Sequence, residues 1–144
     1  MKIYFIAENN GETEIVAIPV VQNIEVMNCD TTDEEFTTID GNTLNLIGGK
    51  GLKKFSFSSF FPSKLYSFVS FLNFKEPKYY VKFFEKYRDL KLPVRIIIVD
   101  KYQVILNMLC RYNFTYSFRD KAGDVPYTLD IKEYILPGEV DNNV

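Results

Sequence analysis

The side chains that could do chemistry in this sequence are few: Cys29 and Cys110, an acidic run of Asp30, Asp33, Glu34 and Glu35, and Lys50, Lys53 and Lys54 beside Gly48, Gly49 and Gly51. Each would need neighbours of a particular kind. The chain contains no histidine, which removes the commonest general base and the commonest metal ligand, and with them triad and His-metal chemistry. The acidic run could be imagined around a cation, but it lacks the alternating spacing and the glycine of a calcium loop and reads as a solvated loop. A nucleophilic cysteine needs an activating neighbour, whereas Cys29 has only Asn28 and Asp30 beside it, and a carboxylate raises a thiol pKa. The glycines lack the GxxxxGK[ST] spacing of a phosphate-cradling loop, since no Ser or Thr follows Lys50. Asp124, Asp130 and Glu133 could pair with Arg95, Arg111 or Arg119 across strands, a structural role. The expectation is a protein that is not an enzyme, with no catalytic residue, no metal and no cofactor.

The elements that would carry these residues follow from composition and pattern. A chain of 144 residues with 47% hydrophobic and 25% charged residues has the size and balance of one folded domain. Seventeen Lys and Arg against nineteen Asp and Glu give a formal charge of -2, so no specific nucleic-acid partner is expected. Two distant cysteines argue for reduced thiols rather than a disulfide scaffold. No apolar run approaches the ~20 residues of a membrane span, and Met1 to Ala7 resembles no secretory signal. Synthesis in the cytoplasm and no membrane insertion are expected.

Thirteen Phe and ten Tyr with no Trp are the compositional oddity. Aromatics favour strands. An excess beyond what one small core can hold suggests a subunit of an assembly; a core that uses Phe in place of Leu is the other reading.

Along the chain, Lys2 to Ala7 and Thr13 to Val21 flank an Asn10-Gly11 step and predict a hairpin, with Pro19 ending or bending its second strand. Asn23 to Asn28 alternates, Phe36 to Ile39 and Thr43 to Ile47 are short strands about an Asp40-Gly41 turn, and Gly48 to Gly51 interrupt the pattern. Phe55 and Phe57 alternate with Ser56 and Ser58 in a half-buried strand stopped by Pro62. Ser63 to Phe74 is ambiguous. The spacing of Tyr80, Val81, Phe84 and Tyr87 after Pro77 predicts one helix over about 76–88 that covers one side of a sheet. Val94 to Val99 is a nearly continuous β-branched strand. Val104, Leu106, Met108, Cys110, Tyr112, Phe114, Tyr116 and Phe118 occupy eight successive even positions, a strand long enough to require a bend or bulge. Val125 to Tyr134 returns after a turn at Asp120 to Asp124. The fold class expected is α+β, mainly β: a partly open antiparallel β-barrel, tail-tube-like, with one packed helix, forming a single domain over 1–136 with a flexible tail at 137–144.

Several of these segments together resemble a known family. Ile18-Pro19-Val20, Ile24-Glu25-Val26, Ile39-Asp40-Gly41 and above all Ser56-Phe57-Ser58-Ser59-Phe60-Phe61-Pro62 are similar to the N-terminal domain of LysM-containing tail proteins of PBSX-like prophages and related contractile particles. Pro77 with the helix ending in Tyr87-Arg88, the strand Pro93 to Ile98, and Asp124 to Tyr134 match in kind, so that the resemblance spans roughly Ala17 to Leu136. It implies a structural protein of the baseplate, joining the tail tube to the hub and spike, with copies of itself in a ring and tube and hub proteins as partners. The implied location is a virion or phage-tail-like particle. This sequence stops at Val144 with no LysM module, so peptidoglycan contact is not carried over.

A ring subunit needs long alternating strands and edges open to its neighbours, and the pattern offers both. The residues expected at the subunit interface are Phe55, Phe57, Phe60 and Phe61 on one strand and Tyr112, Phe114, Tyr116 and Phe118 on another. The alternative is a monomeric β-barrel binding module in which the same aromatics line a pocket for a small apolar ligand or peptide. A third reading is a tail-assembly chaperone.

Overall fold

The computed structural model describes residues 1–22, 24, 28–31, 33–66, 75–119 and 122–137. Nine strands and one helix succeed one another as β1 (Lys2–Asn9), β2 (Glu12–Ala17), β3 (Asn28–Thr31), β4 (Glu34–Thr37), β5 (Thr43–Leu46), β6 (Lys50–Phe61), α1 (Pro77–Asp89), β7 (Val94–Asp100), β8 (Gln103–Tyr116) and β9 (Val125–Glu133). Among the described residues seven strands form one antiparallel sheet in the order β2-β1-β7-β8-β9-β6-β3, and β4 pairs only with β5. The fold is α+β and mainly β, as the two-residue periodicity predicts. The sheet is not closed: among the described residues β2 and β3 each pair on one side only.

The local chemistry explains the elements. Asn10 and Gly11 both take positive φ, 52° and 83°, which is the turn that matches the right-handed twist of the two strands it joins. Past Ala17, the Ile18 N–H still donates to the Ile3 carbonyl, and Pro19, with no N–H to give, ends the pairing. Pro77 sits in the first turn of α1, where a missing N–H costs nothing. The expected irregularity of the long strand falls near its start, where Ile98 faces Leu106 but Val99 faces Val104, so that Ile105 is the extra residue of a bulge.

One face of the sheet is a continuous apolar surface. Phe5, Ile96, Cys110, Leu129 and Phe61, from five adjacent strands, are all fully buried or nearly so. α1 lies on this face with Tyr80, Phe83, Phe84 and Tyr87 buried, and Lys78 and Lys82 exposed as expected. Ring contacts reveal the curvature. The Phe84 ring meets Phe5 of β1 edge-on at 5.1 Å and Phe61 of β6 in a stack at 6.4 Å. Four strand spacings separate β1 from β6 in the sheet order, about 19 Å if the sheet were flat. A single ring touches both because the sheet curls around the helix. The Ser59 hydroxyl donates to the Val20 carbonyl at 2.8 Å, which ties β6 to the segment leaving β2 on the opposite side of the sheet.

Two expectations need correction and three fall wholly or mostly outside the described residues. Gly51 lies inside β6 rather than in a break, because pairing with β3 at Lys50 and Lys53 carries the strand through it. Phe83 was absent from the predicted helix face but is buried with Phe84, because a helix inside a curved sheet buries a wider arc than one on a flat sheet. The strand expected at 23–28, the ambiguous stretch up to Phe74 and the tail at 137–144 lie wholly or mostly outside the described residues. Among the described residues no helix is long and apolar enough to cross a membrane.

Candidate functional site

The eight aromatics expected at an interface divide into two groups. Phe55, Phe57, Phe61, Tyr112 and Phe114 are buried in the chain's own core, which corrects the expectation that they form a surface for neighbours. Their partners are internal: Phe61 stacks on Tyr127 at 4.0 Å and on Tyr80 at 4.8 Å, and Phe114 stacks on Phe84 at 5.0 Å. The sequence pattern correctly puts them on one face, but α1 supplies the cover that a neighbouring subunit was expected to provide. The same rings fill the concave face that a ligand-binding barrel would leave open. Phe60 faces outward and is partly covered by Tyr66. Tyr116 is about half exposed, and Phe118 at 98% is almost fully so.

The chemistry-bearing residues are likewise separated. Burial pushes the Cys110 thiol up to about 12, which keeps it a protonated, inert core residue. The Cys29 thiol, exposed, donates to the Gly51 carbonyl at 3.3 Å. Arg95 donates to the Asn107 side chain, and Arg111 to the carbonyls of Leu92 and Tyr87 at the end of α1. Asp130 accepts from the Ser56 hydroxyl at 2.5 Å, and Glu133 from the Lys53 N–H at 3.1 Å. These groups therefore serve hydroxyls and backbone in place of the cross-strand Arg-carboxylate pairs expected. Asp124, only 6% exposed, accepts from the Ser63 N–H at 2.8 Å, the Tyr66 hydroxyl at 2.8 Å and the Ser63 hydroxyl at 3.1 Å. Burial raises its pKa, but these three donors and the nearby Lys64 ammonium outweigh that and hold the carboxyl below its ordinary value. Asp124 is a staple between the segment after β6 and the start of β9, across 61 residues of sequence.

Two surfaces remain incompletely covered. The first is the β4–β5 hairpin. Its strands pair over Glu34↔Leu46, Glu35↔Asn45, Phe36↔Leu44 and Thr37↔Thr43. Of the acidic run, Asp30 lies in β3 and the rest along the hairpin: Asp33 closes its base by accepting from the Gly48 N–H at 2.8 Å, and Glu34 and Glu35 begin β4. Thr38 organises the tip, its N–H donating to the Asn42 carbonyl and its hydroxyl oxygen accepting from the Asn42 N–H, while Gly41 takes φ +83°. All of β4 is exposed, and so are Phe36, Ile39, Leu44 and Ile47. Sequence reading found β5 and the turn, but it put the first strand at Phe36 to Ile39 and Glu34 and Glu35 in a loop, whereas β4 begins at Glu34 and Ile39 lies in the turn. It missed the surface because alternation does not say whether the apolar face meets a partner within the chain.

The second is a cleft of roughly 410 Å³ between α1 and the end of β8, within the ~300–1,000 Å³ of sites that take ligands or projecting side chains. Val81, Val125 and the largely exposed Phe118 are its apolar lining, and the exposed Lys78, Lys82 and Arg119 line it as well. Its acid, Glu85, accepts from the Tyr116 hydroxyl at 2.9 Å. The cleft thus sets apolar side chains beside three exposed cations.

No family model matches the chain. Over 133 residues, 91% of its length, it is 26% identical to an uncharacterized protein, YqbP, of Bacillus subtilis (strain 168). The chain spans 58% of the length of that relative.

Proposed function

We propose that this chain is a structural component of a contractile phage-type tail, an adaptor of the baseplate hub that joins the tail tube to the hub and spike. The observation that carries the reading is a domain whose core is complete while its periphery is not: among the described residues, two end strands are unpaired on their outer sides and a hairpin carries exposed apolar side chains. Unpaired edges are templates for added strands, and exposed apolar patches on small domains mark interaction sites. The resemblance of the segment Ser56 to Pro62 and of the segments around it to tail proteins gives those features a context. Copies of the chain in a ring, with tube and hub proteins above and below, would cover both.

The test is association with particles. Tail particles purified from cells that produce the tagged chain should retain it through a density gradient, at a fixed ratio to tube protein. Recovery of the chain solely in the soluble fraction, as a species of 16.8 kDa, contradicts the reading.

A further inference from the structure

Among the described residues the β4–β5 hairpin is paired only with itself and carries exposed apolar side chains. An isolated two-stranded hairpin is marginal in water, and here the cross-strand pair Phe36 and Leu44 is about half exposed, while Ile39 at the tip and Ile47 are almost entirely so. Its charge is one-sided as well. Residues 33–48 contain Asp33, Glu34, Glu35 and Asp40 and no Lys or Arg. Glu34 is two residues from Phe36, so both project from the same face.

The α1–β8 cleft has the complementary character, with apolar Val81, Val125 and the largely exposed Phe118 beside the exposed cations Lys78, Lys82 and Arg119. The chain's own hairpin cannot reach it. The hairpin joins the sheet at Lys50, whereas Val125 of the cleft pairs with Phe61 at the other end of the same twelve-residue strand, about 36 Å away at ~3.3 Å per residue. From Asp33 to Ile39 the hairpin arm extends about 20 Å by the same measure. Any hairpin seated in the cleft belongs to another molecule.

We propose that the β4–β5 hairpin of one copy docks in the α1–β8 cleft of the next copy, placing Phe36 and Leu44 against Val81 and Phe118 and Glu34 against Lys78, Lys82 and Arg119. This rests on the assembly reading above and names its contact. Because the two surfaces differ, the contact is head-to-tail and repeats from copy to copy, closing into a ring where the rotation allows. Apolar anchors beside complementary charges give both affinity and register. The outer sides of β2 and β3, unpaired among the described residues, take no part in it.

The experiment compares wild type with Phe36→Ser, Glu34→Lys, the double variant Lys78→Glu/Lys82→Glu, and the combination of Glu34→Lys with the double variant, by sedimentation velocity across a concentration series. All the substituted side chains are exposed, and unchanged thermal unfolding of the dilute protein confirms that the fold is kept. Phe36→Ser, Glu34→Lys and the double variant are each expected to weaken self-association about tenfold or more, and the combined charge reversal to recover most of that loss. If wild type assembles and the single-surface variants assemble equally well, the docking is overturned while the tail-component reading stands. If the variants dissociate but the combined reversal recovers nothing, the hairpin is a contact but the cleft is not its receptor, and the docking is again overturned. A wild type that stays a single chain at every concentration, with or without tail particles, overturns both.

Discussion

The concave face under α1 and the β4–β5 hairpin are made of the same kinds of residue in the same alternation, and their fates are opposite. Phe61 is 0% exposed and Phe36 is 55% exposed. Phe61 lies on a strand paired over eight positions with β9 and is roofed by Tyr80. Phe36 lies on a strand paired over four positions with β5 alone. Alternation decides which face a side chain takes; burial is decided by whether something else in the chain arrives to cover that face. Among the described residues the hairpin has cross-strand partners but no third layer, and an uncovered apolar face is where a small domain carries its interactions.

The contrast breaks most visibly by truncating the two phenylalanines. Phe61→Ala should cost about 3–5 kcal/mol in urea unfolding, since it opens a cavity among Tyr80, Phe84, Phe114 and Tyr127. Phe36→Ala should leave the stability of the dilute protein within about 0.5 kcal/mol of wild type, as surface changes do. Equal losses in the two variants would mean that the hairpin is packed within the chain after all.

Asp124 sharpens the comparison at the end of the sheet. Asp124→Asn should cost about 1–3 kcal/mol at neutral pH, because a charged acceptor facing three donors is exchanged for an amide that can satisfy fewer of them. The folded carboxyl binds its proton less tightly than the unfolded one, so its contribution is fully present above the unfolded value of about 3.9 and disappears as pH falls through the lower folded value. Thermal unfolding of wild type and variant should therefore converge as the pH is lowered from about 5 toward 3. A gap that stays constant over that range would remove the ionised carboxylate from the explanation.

Smaller still is Tyr112→Phe. The Tyr112 hydroxyl donates to the Phe84 carbonyl at 2.8 Å and pins α1 to β8, and its loss should cost about 1 kcal/mol. The smallest effect is expected at Tyr127, whose buried hydroxyl has no hydrogen-bond partner among the described residues. Ser59, opposite it in the register, gives its proton to the Val20 carbonyl. Tyr127→Phe should thus be neutral or slightly stabilising, within about 1 kcal/mol, in chemical denaturation; a loss as large as that of Tyr112→Phe would reveal a partner for this hydroxyl.

Much of this architecture is legible in the residues. The even positions from Leu106 to Phe114 are all buried, and the Asn10-Gly11 turn, the single helix and the alternation of Phe55 and Phe57 with serines stand as periodicity and turn chemistry predict. The partition between core and surface was not legible. Tyr112 and Tyr116 share one face of β8 and both hydroxyls reach α1, yet the first ring is buried under the helix and the second is half exposed at the core's margin, a difference set by where the helix lies and not by anything in the strand. Asp124 escaped for a related reason: its donors at Ser63 and Tyr66 come from a distant segment, and only the assembled sheet brings them together. The cleft beside α1 likewise combines residues about forty positions apart, while the hairpin's isolation depends on what does not pack against it.

The central claim is that the core is finished within one chain and the hairpin is finished by a neighbour. Hydrogen exchange on the intact protein, dilute and then concentrated or particle-bound, tests it most directly. Amides of Glu34 to Leu46 should exchange rapidly in the dilute chain and become protected on assembly, while those of β8 and β9 are strongly protected in both states. Hairpin protection that is the same at every concentration, or core strands that gain protection only on assembly, would contradict the account.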